Sequence, residues 1–341
     1  MGLETIRFGL VGCGRVAPRH AQSLVELPGA QLVAVTDSVP ARAARFAADY
    51  GCAVEPDYDA LLARPDLDVV TICTPSGLHA QMGSAAAAAG KHVLVEKPMA
   101  LNLADADALI AACAAANIKL SVVMQNRYNP PVQDLRRAVD AGRLGRLLLG
   151  AATVRWYRPQ EYYEDGWHGT RAMDGGALLN QSIHHIDALQ WFLGGVHSVF
   201  AYTATLAHRM EADDAGVGVV RFKSGALATI EGSTLTYPEN LEGSLALFGE
   251  RGSVKIGGPA LNRIAFWKVA GELEHEREML TRQEIDPPTV YGYSHRAVIR
   301  EMVRSVQEDR APEVTGVEAR NSLQLVLALL ESARTGREVL L

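Results

Sequence analysis

Residues 6–17 read Ile6-Arg7-Phe8-Gly9-Leu10-Val11-Gly12-Cys13-Gly14-Arg15-Val16-Ala17, and this stretch decides the fold. A nearly continuous apolar run ends in a Gly-x-Gly-x-x-Ala turn, and a helical pattern begins at Pro18. Gly12 permits a tight turn, Gly14 lets the backbone approach a pyrophosphate, and Ala17 is small enough for a helix to pack on the strand. The helix start offers N–H groups and a positive dipole end to phosphates, so Arg15 and Val16 are expected beside them. Asp37 closes the next apolar run, 37 − 14 = 23 positions after Gly14. A carboxylate there accepts ribose hydroxyls and repels a 2′-phosphate, and no Arg follows it at 38 or 39, which favours NAD over NADP. An ordinary glycine turn and a helix N-cap at Asp37 are the structural alternatives.

Outward from this turn, short apolar runs at 32–36, 69–74, 92–96 and 120–123 alternate with helical, Ala-rich stretches at 18–25, 39–50, 79–89 and 103–116. That alternation predicts a doubly wound parallel sheet with helices on both faces, a Rossmann-type α/β domain over residues 1–124. Beyond it the texture changes. Helices are expected at 130–142, 177–193, 294–308 and 317–335. Strands are expected at 147–156, 198–206, 216–222, 226–234, 243–248, 253–256 and 264–269. Strands in series without intervening helices predict a mainly antiparallel sheet, so residues 125–341 read as a second, α+β domain.

Composition bounds the rest. The 341 residues are 48% hydrophobic and 21% charged, which excludes a disordered or collagen-like chain. Four Cys without a Cys-x-x-Cys pair give no disulfide framework and no zinc spacing, and no metal is expected. Thirty-three basic against 39 acidic residues, with no basic cluster, speak against nucleic acid as a partner. No uninterrupted apolar run approaches the ~18–20 residues of a membrane helix, and the N-terminus lacks a signal-peptide pattern. A cytoplasmic protein with no membrane partner is expected.

Three further stretches complete a pattern: Cys73-Thr74-Pro75-Ser76-Gly77-Leu78-His79, Glu96-Lys97-Pro98, and Gly175-Gly176 followed by Asn180, His184 and Asp187. With the turn at Gly12, and over essentially the whole chain, they resemble the glucose–fructose oxidoreductase/inositol dehydrogenase (Gfo/Idh/MocA) family. The resemblance implies a Rossmann domain followed by an open antiparallel sheet domain, and homo-oligomers (dimers or tetramers) built through that sheet. It also implies NAD(P)-linked oxidation or reduction of sugars and polyols in a cleft between the domains. Gly12, Gly14, Arg15, Val16, Asp37, Thr74, Pro75, His79, Glu96 and Lys97 are the implied cofactor contacts.

The chemistry asks for the same residue types. Oxidising a secondary alcohol removes a hydride from carbon and a proton from oxygen. A histidine can take that proton near neutral pH, and a fixed cation stabilises the developing alkoxide. His184 is the candidate proton shuttle and Lys97 the polarising cation. Asn180 lies four residues before His184 and Asp187 three after it, spacings that share one helix face. Where many relatives carry Asp, Asn180 cannot ionise, so it orients a hydroxyl and leaves base chemistry to His184 or Lys97.

The stretch 125–130, Tyr162-Tyr163, Trp167-His168-Gly169-Thr170 and Asn180-Gln181 further resemble the UDP-N-acetyl-2-amino-2-deoxyglucuronate 3-dehydrogenase subgroup. Arg127 suits a carboxylate or diphosphate, and Tyr163 and Trp167 suit a sugar or uracil ring, so these are expected with Asn180 and His184 to bind substrate. The expected activity is NAD-dependent oxidation of a ring hydroxyl, at C3 of a UDP-linked N-acetylamino sugar or its uronate. A dehydrogenase for a free polyol or aldose is the alternative, and a catalytically silent cofactor-binding regulator is another.

Overall fold

The computed structural model describes residues 4–271, 279–280, 292 and 294–341. The chain opens with β1 (Ile6–Val11), α1 (Ala17–Glu26), β2 (Ala30–Thr36), α2 (Pro40–Tyr50), β3 (Ala53–Val54), α3 (Tyr58–Leu62), β4 (Val69–Ile72), α4 (His79–Ala88), β5 (His92–Val95), α5 (Leu103–Ala115) and β6 (Leu120–Val122). It continues with α6 (Pro130–Asp140), β7 (Leu147–Arg155), a π-turn (Ala177–Gln181), α7 (Ile183–Leu193), β8 (Val196–Ala204), β9 (Ala215–Phe222), β10 (Leu227–Ser233), β11 (Glu242–Gly249), β12 (Gly252–Gly257) and β13 (Arg263–Val269). Helices α8 (His295–Gln307) and α9 (Gly316–Thr335) and the short β14 (Val339–Leu340) close it. No helix among the described residues is long and apolar enough to cross a membrane.

The chain divides into two compact units, Met1–Met124 with His295–Leu323, and Gln125–Ser294 with Gln324–Leu341. In the first, six parallel strands run β3-β2-β1-β4-β5-β6. The order reverses between β1 and β4, and open α/β sheets bind ligands at the carboxyl ends of the strands beside such a switch point. The strands are apolar on both faces because helices cover both: Phe8, Leu10, Val70, Ile72 and Leu94 are fully buried. Pro18 and Pro40 start α1 and α2 in the first turn, where a missing N–H costs nothing, and Gly51 ends α2 at φ 69°. The short β3 and α3 are additions to the expected elements.

The second unit carries an eight-stranded sheet ordered β13-β12-β11-β7-β10-β9-β8-β14. Every pairing is antiparallel except β10 with β7, which is parallel over seven residues. The π-turn and α7 lie on one face. Glycines set their close approach: a Cβ on Gly150 would come within 2.7 Å of Leu189, and one on Gly216 within 2.6 Å of Leu178.

One expected element changes character. The helix expected over 177–193 begins as a π-turn closed by the bond from Ser182 N–H to the Ala177 carbonyl, 2.9 Å, before α7 starts at Ile183. A π-turn takes one more residue per hydrogen-bonded loop than an α-turn, and such bulges concentrate at functional sites.

Candidate active site

The turn after β1 is shaped for close approach of a ligand. Gly12 sits at φ +89°, and a Cβ there would lie 2.8 Å from the Cys73 backbone. A Cβ on Gly14 would meet nothing within 4 Å. Helix α1 begins with no side-chain cap and no acid in its first turn, which suits a pyrophosphate at its N–H groups. Asp37 accepts the Cys13 N–H and the Val39 N–H, both at 2.8 Å. The bond to Val39 is an Asx-type turn ahead of α2, whose N-cap is Val39 with no side-chain cap bond, and a carboxylate with about four acceptor sites has capacity beyond two bonds. The Arg42 guanidinium lies 3.5 Å from the same carboxylate. Burial, with Asp37 next, pushes the Cys13 thiol up to about 12, so it is no nucleophile at neutral pH. The geometry at Gly12, Gly14 and Asp37 thus fits a dinucleotide.

At the end of β5, Glu96 is 6% exposed and its carboxylate faces His20 Nε2 at 2.8 Å and His295 Nε2 at 3.5 Å. Its other oxygen accepts the Lys97 N–H at 3.2 Å. Burial opposes the charge on Glu96, but the bonds to the two imidazoles outweigh it and hold the carboxyl well below its usual range. The three donor atoms lie within 4.8 Å of one another, a grouping that sequence spacing does not reveal. On the far side of Lys97, the Pro98 carbonyl lies 2.8 Å from His79 Nδ1, while His79 Nε2 lies 2.8 Å from the Thr74 carbonyl. Glu96 and His79, expected to touch a cofactor, are buried and direct their polar atoms at the protein. Together they fix Thr74, Lys97 and Pro98 from both sides. His20 and His295 are the residues that sequence reasoning missed here.

In the second unit the π-turn and α7 carry the polar group. Gly175 and Gly176, at φ +86° and +89°, reverse the chain just before it. Asp213 receives the Leu178 N–H at 3.2 Å, and burial pushes its carboxyl up to about 6. Asn180 and His184 are each 8% exposed. The Asn180 amide donates to Asp174, itself 1% exposed. The Gln125 side-chain nitrogen lies 3.2 Å from His184 Nε2; an amide N–H only donates, so this contact uses the ring nitrogen as acceptor.

Arg127 and Asp187 meet as a buried pair. The Arg127 guanidinium binds Asp187 bidentately at 2.8 and 2.7 Å, both residues buried, with the Trp191 ring 5.0 Å away. Asp187 thus pairs with a basic side chain, and this pair ties Arg127 to α7. Tyr163 is likewise a core residue: its hydroxyl bonds Thr234 at 2.9 Å, it packs on His208, and burial pushes its pKa up to about 12. Trp167 is half-buried and stacks on His168 at 3.6 Å.

An aromatic that reaches the π-turn is Tyr162, whose hydroxyl accepts the Gln181 amide at 3.0 Å. Arg158 donates to Gln181 at 3.0 Å and lies over the Trp156 and Tyr162 rings. Neither tyrosine is distinguishable from its neighbour in sequence; only the register at this loop separates them.

Residues 6–124 match the model of an oxidoreductase family with an NAD-binding Rossmann fold (GFO_IDH_MocA), and residues 132–255 match the GFO/IDH/MocA C-terminal domain. Among solved structures, the chain is similar to the WlbA dehydrogenase from Bordetella pertussis in complex with NADH and UDP-GlcNAcA. The two are 40% identical with a TM-score of 0.93, covering 99% of this chain and 98% of that one. It is also similar to the inositol 2-dehydrogenase of Rhizobium meliloti, 33% identical over 260 residues, 73% of this chain and 75% of that protein. The scyllo-inositol 2-dehydrogenase (NAD(+)) of Bacillus subtilis is 27% identical over 346 residues, 98% of this chain and 96% of that protein.

Proposed function

This chain belongs to the GFO/IDH/MocA oxidoreductase family, an NAD-dependent sugar dehydrogenase within it, and from that premise we propose that it oxidises C3 of a UDP-linked N-acetylamino sugar or its uronate. The whole-chain likeness to the WlbA dehydrogenase carries this reading. NAD, when bound, accepts the hydride from the ring carbon. Lys97 polarises the hydroxyl oxygen as negative charge develops there. His184 takes the hydroxyl proton at Nε2, where the substrate hydroxyl would replace the Gln125 amide as hydrogen-bond donor. Asn180 orients the sugar. Gly12 and Gly14 admit the pyrophosphate, and Asp37 accepts the ribose hydroxyls. Trp167 and Tyr162 supply ring surface for the sugar or the base, and Arg158 supplies a cation beside Gln181 for the uronate or diphosphate.

A steady-state panel tests the reading: NADH formation with UDP-GlcNAcA, UDP-GlcNAc, myo-inositol, scyllo-inositol and glucose, with the product's keto position assigned by NMR. Selective turnover of the UDP-linked sugars, giving a 3-keto product, is expected. Selective turnover of the inositols would replace this reading with the polyol one that the inositol dehydrogenase relatives favour.

A further inference from the structure

We propose that Asp174 is a positioning residue, one that fixes the amide of Asn180 so that its carbonyl oxygen, not its NH2 group, faces the substrate; this rests on the sugar dehydrogenase reading above. Asp174 is 1% exposed, and its carboxylate bonds Gly169 and Asn180. Oδ2 accepts the Gly169 N–H at 2.9 Å, and Oδ1 accepts from Asn180 Nδ2. The backbone of Asp174 is tied as well, its N–H bonding the Thr170 carbonyl at 3.1 Å. The fold brings these two side chains together by a specific route. Gly175 and Gly176 both adopt positive φ, and the π-turn that follows turns Asn180 back toward a residue six positions earlier. Neither glycine tolerates a side chain: a Cβ on Gly176 would lie 2.7 Å from Asp213 Oδ1, and one on Gly175 would lie 2.5 Å from Leu179.

The chemistry of the pair sets a polarity. An ionised carboxylate only accepts, so it can meet only the NH2 edge of an amide. The amide is planar, so its Oδ1 edge is turned away from Asp174. Asn180 therefore presents an acceptor, which holds a hydroxyl of the sugar ring by its hydrogen. Without Asp174 the amide could rotate by half a turn and present a donor instead, and the ring would lose its register to His184. A carboxylate at position 180 would also accept, but it would bring a charge. The pair gives the acceptor while keeping the charge one residue back from the substrate.

The experiment compares native protein with Asp174→Asn and the exchange D174N/N180D, reading thermal stability, NADH binding by fluorescence, and kcat and KM on UDP-GlcNAcA. In Asp174→Asn either amide can donate, so the orientation is lost; a fall in kcat/KM of about 10²-fold is expected, with NADH affinity unchanged. The exchange restores a carboxylate–amide pair with reversed polarity. A carboxylate at position 180 accepts whichever way it turns, so the exchange is expected to recover most of the turnover as well as thermal stability, and this holds the test even where Asp174→Asn folds poorly. An exchange with native thermal stability but turnover as low as that of Asp174→Asn would show that an acceptor at position 180 is not what matters and overturn the proposal, as would full kcat/KM in Asp174→Asn. A native protein active only on other sugars would remove the UDP-sugar reading, and the same comparison on those sugars would still decide the role of Asp174. A native protein inactive on every sugar would overturn both.

Discussion

At Asp213 burial opposes ionisation and pushes the carboxyl up to about 6 from 3.8, against the Leu178 N–H bond, which pulls the other way. The neutral acid is therefore the form the fold prefers. Its contribution is complete below about 3.8, where folded and unfolded chains are both protonated, and is lost as pH rises through about 6. Asp213→Asn keeps an acceptor for Leu178 and removes the titration. Urea denaturation at pH 4 and pH 7 should show the variant gaining on native protein by about 2 kcal/mol between the two. A difference that does not change with pH would show that Asp213 is not held neutral. At Lys97 and His184 the expected effects are on rate. Lys97→Ala and His184→Ala should each lower kcat by about 10²–10⁴-fold while NADH still quenches and shifts protein fluorescence. Full turnover in either variant would remove that residue from the mechanism.

Among the elements, the turn after β1 was the most legible in sequence, because its requirement is steric and local. A positive φ and a Cys73 backbone 2.8 Å from any added Cβ leave position 12 only to glycine. Gly12→Ala should raise the Kd for NADH at least tenfold and lower Tm by several degrees, measured by titration and calorimetry; an unchanged Kd would count against the pyrophosphate site. The strand–helix alternation was legible for the same reason, since apolar runs in a sheet covered on both faces need no distant partner to be read. The π-turn was not: a period near four residues does not separate an α-helix from one extra residue in a single loop, and Ser182 there packs against Gly232, fifty residues on. The hold on Lys97 was hidden too. His295 lies 295 − 96 = 199 residues after Glu96, and nothing in its own neighbourhood marks it as a partner. Arg127 and Tyr163 looked like ligand groups by type, and only tertiary pairing with Asp187 and Thr234 assigned them to the core.

On the scale of the whole molecule, the sheet of the second unit has one face covered by the π-turn and α7 and the other exposed. On the exposed face Leu227 and Phe248 flank Leu149 in register, and Val217 and Val219 stand beside Tyr202. These are 39% to 66% exposed, although strands that face water ordinarily alternate to polar residues there. A contiguous apolar patch of this kind marks an interface. At one end of this face the charges are paired, Arg155 with Glu231 at 2.6 Å and Glu242 at 2.9 Å, and Lys255 with Glu242 at 2.8 Å. Two identical copies of this face can bury their apolar rows against one another in an isologous dimer. We propose that a second copy of the chain covers it. Val219→Asp places a new carboxylate at the centre of the patch, and in a two-fold contact each copy adds one. Light scattering after size exclusion should give a multiple of 36.7 kDa for native protein and a shift toward 36.7 kDa for the variant, with far-UV circular dichroism unchanged. A native protein that runs at 36.7 kDa across micromolar concentrations would refute the interface, and the exposed apolar rows would then need another partner.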